Sequence, residues 1–257
     1  DSFWNEYRTP SLLPMPEAGV FTRNVGLVSG WEGVLEKFAA DMVLPRLANH
    51  TAIGVFIGAY LCMCLGENNG CNSNCTDPRV RFAGDEICCG NTSCWKDQLY
   101  PISSKLRSLL GQDAILYEND CGEPALFDKL DKIPPALNWF SVDGYWGYDT
   151  AHGAPNGAAE AQMMRSFAER TMYPKMAPSQ RLVVVPGTFA CSNFSYMPLA
   201  NSSRSVIAKL RAYFEWAKAD SKVIALFPWH VNWLPAGPGE LPCDMRLGAT
   251  DIPGVVS

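Results

Sequence analysis

The chain has 257 residues, enough to bury a large core in one or two domains. A hydrophobic fraction of 47% against 18% charged residues describes an ordered globular protein and excludes a disordered one. The net charge of −5 offers no basic face to a polyanion, which argues against nucleic acid as a partner.

Residues 1–19 are Pro-rich and read as irregular. Residues 20–28 read as a strand. Residues 31–47 place Val34, Leu35, Phe38, Met42 and Val43 at the spacing of an amphipathic helix, which Pro45 kinks or ends. Residues 53–57 read as a buried strand. Residues 60–95 then hold seven of the ten cysteines (Cys62, Cys64, Cys71, Cys75, Cys88, Cys89 and Cys94), a disulfide-stapled insertion whose pairing the spacing leaves open. After it, helices at 95–111, 125–132, 158–176 and 204–219 alternate with strands at 114–117, 137–142, 182–185 and 223–227, and Ser203 is the expected cap of the last helix. The tail from residue 235 is Pro/Gly-rich loop, tied down by Cys243. Short β-rich strands alternating with helices are the pattern of a parallel α/β sheet.

Two features place the chain outside the cytosol. Five sequons, at Asn49, Asn74, Asn91, Asn193 and Asn201, exceed the about one or two expected by chance for this composition. Ten cysteines, with Cys121, Cys191 and Cys243 completing the set, are too many for a reducing compartment. The expectation is a secreted protein carrying covalent N-glycans and disulfides. The opening Asp1-Ser-Phe-Trp has neither a basic start nor an apolar run and reads as a mature or truncated chain. The most apolar stretch, residues 52–65, is too short to span a bilayer.

In a parallel α/β fold, functional groups gather where strands end. Here Glu118 and Asp120 follow the strand at 114–117, and Asp143, Tyr145 and Trp146 follow that at 137–142. Trp229, His230 and Trp233 follow the strand at 223–227. Carboxylates, an imidazole and aromatic rings at successive strand ends are the lining of a carbohydrate cleft. Each carboxylate taken singly also fits a helix-capping role, and most of the eight tryptophans fit core packing.

The chain resembles the (β/α)8-barrel glycoside hydrolases, in residues 53–58 with Gly84-Asp85-Glu86, in Trp139-Phe-Ser-Val-Asp143-Gly-Tyr145, and in the Trp after the last strand. The resemblance implies a (β/α)8 barrel or part of one. It also implies a two-carboxylate mechanism with Glu86 as acid/base. The strand at 182–185 ends without a carboxylate, so Asp143 is the expected partner, with Glu118 as substitute. Tyr145, Trp146, Trp229 and Trp233 would form the sugar platform, and His230 and Asp120 would bond sugar hydroxyls. Six strands are legible rather than eight; either others lie in residues 1–30 or the chain is part of a longer barrel.

Other chemistries find less support. Cys89-Gly-Asn-Thr-Ser-Cys94-Trp95, with His152 and Asn232 downstream, only loosely matches a papain-like nucleophile segment and contains a sequon. The three His residues (His50, His152 and His230) share no ligand-spaced motif, so no metal is expected. A Gly-x-Ser-x-Gly elbow, a Gly-x-Gly-x-x-Gly turn and a P-loop are absent, and no cofactor is implied. The expectation is one barrel-like domain over 1–257 that hydrolyses or binds a polysaccharide. The alternative is a catalytically inactive extracellular glycoprotein with a binding, structural or assembly role, self-assembly included.

Overall fold

The computed structural model describes residues 11–16, 19–22, 26–59, 81–82, 85–86, 98–121, 131–143, 157–187, 190–191, 199–228 and 246–247. Six strands form one sheet: β1 (Ser11–Pro14), β2 (Ala52–Ala59), β3 (Ile115–Cys121), β4 (Trp139–Asp143), β5 (Arg181–Val184) and β6 (Val223–Leu226). Every neighbouring pair is parallel, and the order across the sheet is the order along the chain. A doubly wound sheet reverses its order midway; this one does not. This sequential parallel order is consistent with a partial barrel, and β1 and β6 are its edges among the described residues.

Five α-helices accompany it among the described residues: α1 (Trp31–Phe38), α2 (Leu44–Ala48), α3 (Tyr100–Leu110), α4 (Gly157–Phe167) and α5 (Leu199–Ala219). Prolines shape three helix entries. A π turn, Ala39–Val43, joins α1 to α2 just before Pro45. Another, Ala168–Met172, extends α4 just before Pro174 in a short 3-10 turn. Pro101 opens α3 behind π-type residues 98–99. Proline lacks an N–H and its ring crowds the carbonyl four residues back; a widened turn accommodates both. Pro45 therefore redirects the expected 31–47 helix without ending it.

The sheet is buried on both faces, which is why its strands read as apolar runs. One face packs Val55, Ile57, Leu116, Phe140, Leu182 and Val184 against the helices. The other gathers Tyr117, Val183 and Val185 with Leu12, Phe56, Trp139 and Ala225. Burial at these positions stabilises the fold by about 1.5–3 kcal/mol per large side chain.

Several sequence expectations shift. The expected strand at 20–28 is instead a small hairpin, Phe21–Thr22 against Gly26–Leu27, with the turn-favouring Asn24 between the two pieces. The first sheet strand lies at Ser11–Pro14, in the stretch read as irregular; proline is tolerated there because β1 is an edge. β3 runs on to Cys121, so Glu118 and Asp120 lie within the strand and not after it. α5 begins at Leu199, which puts Ser203 inside the helix and not at its cap; Pro198 in the sequence suits that earlier entry. The expected helix at 125–132 falls outside the described residues except for a bend at 131–132. The Cys-rich insertion lies outside them too, apart from a hairpin of Arg81–Phe82 with Asp85–Glu86. Of the tail, Arg246–Leu247 pairs with Ala190–Cys191.

Polar side chains tie down the N-terminal end of the sheet. Arg107 donates to the carbonyls of Ala114 (2.8 Å) and Ala136 (2.9 Å) and to the Asn138 side chain. Gln180 donates to the carbonyls of Pro134 (2.8 Å) and Leu137 (3.0 Å). Asp220 accepts from Tyr173 (2.6 Å), from Trp216 (3.1 Å) and from the Lys222 amide (2.9 Å). Burial alone would raise the Asp220 carboxyl; these three donors outweigh it and hold the group below its ordinary value.

This packing makes three substitutions informative. A Cβ on Gly54 would run into the backbone of Ile115, its carbonyl oxygen first, whereas one on Gly58 would meet no described atom within 4 Å. Gly54→Ala should therefore cost about 3 kcal/mol or more and Gly58→Ala less than about 1 kcal/mol, read by urea unfolding. Asp220→Ala should cost about 1 kcal/mol at pH 7, after discounting for solvent screening. Because the folded carboxyl titrates below the unfolded one, this stabilisation is present above about pH 4 and fades as pH falls through the folded value. Unfolding curves at pH 7 and pH 2.5 should show the gap closing.

Candidate functional site

At the C-terminal end of the sheet, on the face away from the helices, three polar side chains interrupt an apolar surface. Strand register places Asn119 beside Ser141, and Tyr117 lies one pair earlier on β3. All three are buried, with 8%, 7% and 0% exposure for Tyr117, Asn119 and Ser141. Ser141 Oγ donates to Asn119 Oδ1 at 2.5 Å, and Tyr117 Oη lies 2.7 Å from Ser141 Oγ. A serine hydroxyl has one proton. Since Ser141 gives it to Asn119, Tyr117 donates to Ser141. The relay thus runs from Tyr117 through Ser141 to the Asn119 carbonyl. Phe56 on β2 stacks on Tyr117 with ring centroids 5.1 Å apart, holding the first donor in place.

Asp143 is the last residue of β4, opposite Cys121 and two residues beyond Ser141. It therefore continues the strand parity of 139 and 141 at the sheet end. Glu118 is different. It has no exposed surface and shares the parity of Leu116 and the register of Phe140, both in the helix-facing core. Its carboxyl does not open on the end of the sheet. Asp85 and Glu86 sit in the small hairpin with Arg81–Phe82, outside the six-stranded sheet, so Glu86 does not terminate one of its strands. Asp120 belongs to β3, its side chain outside the described set. Tyr145, Trp146, Trp229, His230 and Trp233 lie outside the described residues, as do all the cysteines except Cys121 and Cys191, which are on strands. Asn49 is exposed in the turn after α2, Asn201 is in α5, and Asn74, Asn91 and Asn193 fall outside the described residues.

Tyr117, Asn119 and Ser141 were not among the expected site residues. In Trp139–Asp143 the polar Ser141 and Asp143 alternate with Phe140 and Val142, but in Ile115–Cys121 Glu118 and Asp120 break the alternation, so only the pairing of the two strands brings Tyr117 and Asn119 to Ser141.

Behind β5 lies a buried ion pair. Glu160 on α4 and Lys209 on α5 are 3% and 2% exposed and meet at 2.5 Å. Lys209 Nζ also donates to the Gly187 carbonyl at 2.9 Å, so the pair grips the turn that follows β5. Burial pushes the Glu160 carboxyl up, opposed by the charge of Lys209. Burial, with the Glu160 charge beside it, also pushes the Tyr213 phenol well up and keeps it neutral.

No protein-family model matches the chain, and no curated protein matches it in sequence. Among solved structures it aligns with a β-glucuronidase of Faecalibacterium prausnitzii at 12% identity and a TM-score of 0.46. The alignment covers 82% of this chain and 31% of that one, so the chain spans about a third of that protein's length. At that overlap the likeness decides nothing about activity. Among the described residues no three His, Cys, Asp or Glu side chains gather as a metal site, and no helix is long and apolar enough to cross a membrane.

Lys209→Met leaves a buried carboxylate without its partner and should cost about 3–5 kcal/mol in urea unfolding. Replacing both partners with apolar residues, Glu160→Leu with Lys209→Met, should recover most of that loss.

Proposed function

We propose that this is a secreted glycoside hydrolase-like protein that takes a carbohydrate at the C-terminal end of its parallel sheet. The observation that carries the reading is the buried relay Tyr117–Ser141–Asn119 at the end of the sheet, with Asp143 as the last residue of the strand that bears Ser141. Sites on parallel α/β sheets form at this end, and carbohydrate sites combine fixed hydrogen-bond donors with carboxylates. In this reading Asp143 is the partner carboxylate and Glu86 the acid that protonates the departing glycosidic oxygen. The acid needs a dry setting that raises its pKa, while its partner stays ionised. Tyr145, Trp146, Trp229 and Trp233 supply the sugar-stacking surface, and His230 and Asp120 bond hydroxyls. Disulfides and N-glycans belong to the same extracellular setting, and the exposed turn at Asn49 is open to modification.

A second reading has its own support. Glu86 lies in a hairpin off the sheet and Glu118 is buried on the helix side, which fits a barrel that binds sugar without cleaving it.

A panel of aryl α- and β-glycosides assayed with the glycosylated, oxidised chain tests both. The enzyme reading expects turnover that falls about 10²–10⁴-fold in Asp143→Asn and in Glu86→Gln, with circular dichroism unchanged. Turnover unaffected by Asp143→Asn would overturn the assignment. Sugar binding without turnover would select the second reading.

A further inference from the structure

The hydrogen-bond relay on the inner face has an end that no described residue uses. Burying Tyr117 among Leu12, Phe56, Val183 and Val185, and Asn119 and Ser141 beside it, is costly unless each finds a partner. Tyr117 and Ser141 find theirs along the relay. Asn119 accepts through Oδ1, and that bond fixes the orientation of its carboxamide. Its Nδ2, with two N–H groups, has no acceptor among the described residues, although the residue is only 7% exposed.

A second, independent observation marks the same place as one that no described atom fills. β2 is irregular between Phe56 and Ala59, and Ala59 pairs with Asn119. Within that step Gly58 is buried, yet a Cβ there would meet no described atom within 4 Å. Irregular strand steps of this kind recur beside functional sites, where they re-aim the chain. A fixed donor that no described residue accepts from therefore borders a place at Gly58 that no described atom fills.

We infer that Asn119 and Gly58 form a ligand subsite that takes a hydroxyl oxygen of a neutral sugar, with Asn119 Nδ2 as its donor. The inference rests on the carbohydrate reading above and specifies where and how the sugar is held. Neutral follows from charge. Asp143 lies two residues beyond Ser141 on the same strand, about 7 Å along it, and the chain is acidic overall. A uronate would bring a further negative charge to the end of the strand that carries Asp143. A hydroxyl can accept from the amide and still donate to a carboxylate.

Nuclear magnetic resonance on the ¹⁵N-labelled full chain reads this directly through the Asn119 side-chain amide. The probes are methyl β-glucoside, methyl β-galactoside, methyl α-mannoside and glucuronate, each titrated to saturation. The expected result is a saturable shift of the Asn119 amide with at least one neutral glycoside and none with glucuronate. Asn119→Asp should weaken binding of that glycoside about tenfold or more. Gly58→Leu should abolish it while spectral dispersion stays native. Saturable shifts elsewhere with Asn119 unmoved, or unchanged affinity in Asn119→Asp, would overturn the subsite and leave the carbohydrate reading standing. Glucuronate moving Asn119 would overturn the neutral-ligand assignment. No shift anywhere with any sugar would bring down the carbohydrate reading and the subsite with it.

Discussion

The close approach of β2 and β3 at Gly54 sets the register of the sheet and, through it, the polar end. Ile115 lies against Gly54 so tightly that no side chain fits between them, and the two residues are register partners. That contact sets Phe56 against Tyr117, which places the Tyr117 hydroxyl at Ser141 and Ser141 at Asn119. A slip of one residue would turn every strand side chain to the opposite face and bury the relay under the helices. Pairing of β2 with β3 thus connects core packing to the relay.

The two ends of the sheet use polar groups differently. At the N-terminal end Arg107, Gln180 and Asp220 satisfy backbone and side-chain partners around the loops that enter the strands. Such closed networks serve stability. At the C-terminal end the Glu160–Lys209 pair holds the Gly187 turn, and the Tyr117–Ser141–Asn119 relay stops at a donor with no acceptor among the described residues. An ion pair so deeply buried is a weak source of stability, and its contact with Gly187 ties it to the geometry of that turn.

Much of the architecture was legible in the sequence because periodicity is strong in its second half. The strands at 137–142, 182–185 and 223–227 and the amphipathic helix beginning at residue 31 match the observed elements within a few residues. β1 was illegible because four residues bearing a proline carry almost no alternation. The site was less legible. Glu118 drew notice as a carboxylate near a strand end, but β3 continues past it and strand parity sends it to the helix side. Asn119 and Ser141, uncharged and inside apolar strands, gave no compositional signal; their importance arises from cross-strand pairing, which single-strand patterns do not carry.

The central claim is that a sugar-binding cleft with two cooperating carboxylates sits at the C-terminal end of this sheet. The separation of the Asp143 and Glu86 carboxyl groups, measured in crystals of the glycosylated and oxidised chain, tests it most directly. The account predicts about 5–5.5 Å for a retaining site or about 6.5–9.5 Å for an inverting one, with both groups open to one cleft. Carboxyl groups well beyond that range, or separated by packed protein, would contradict it.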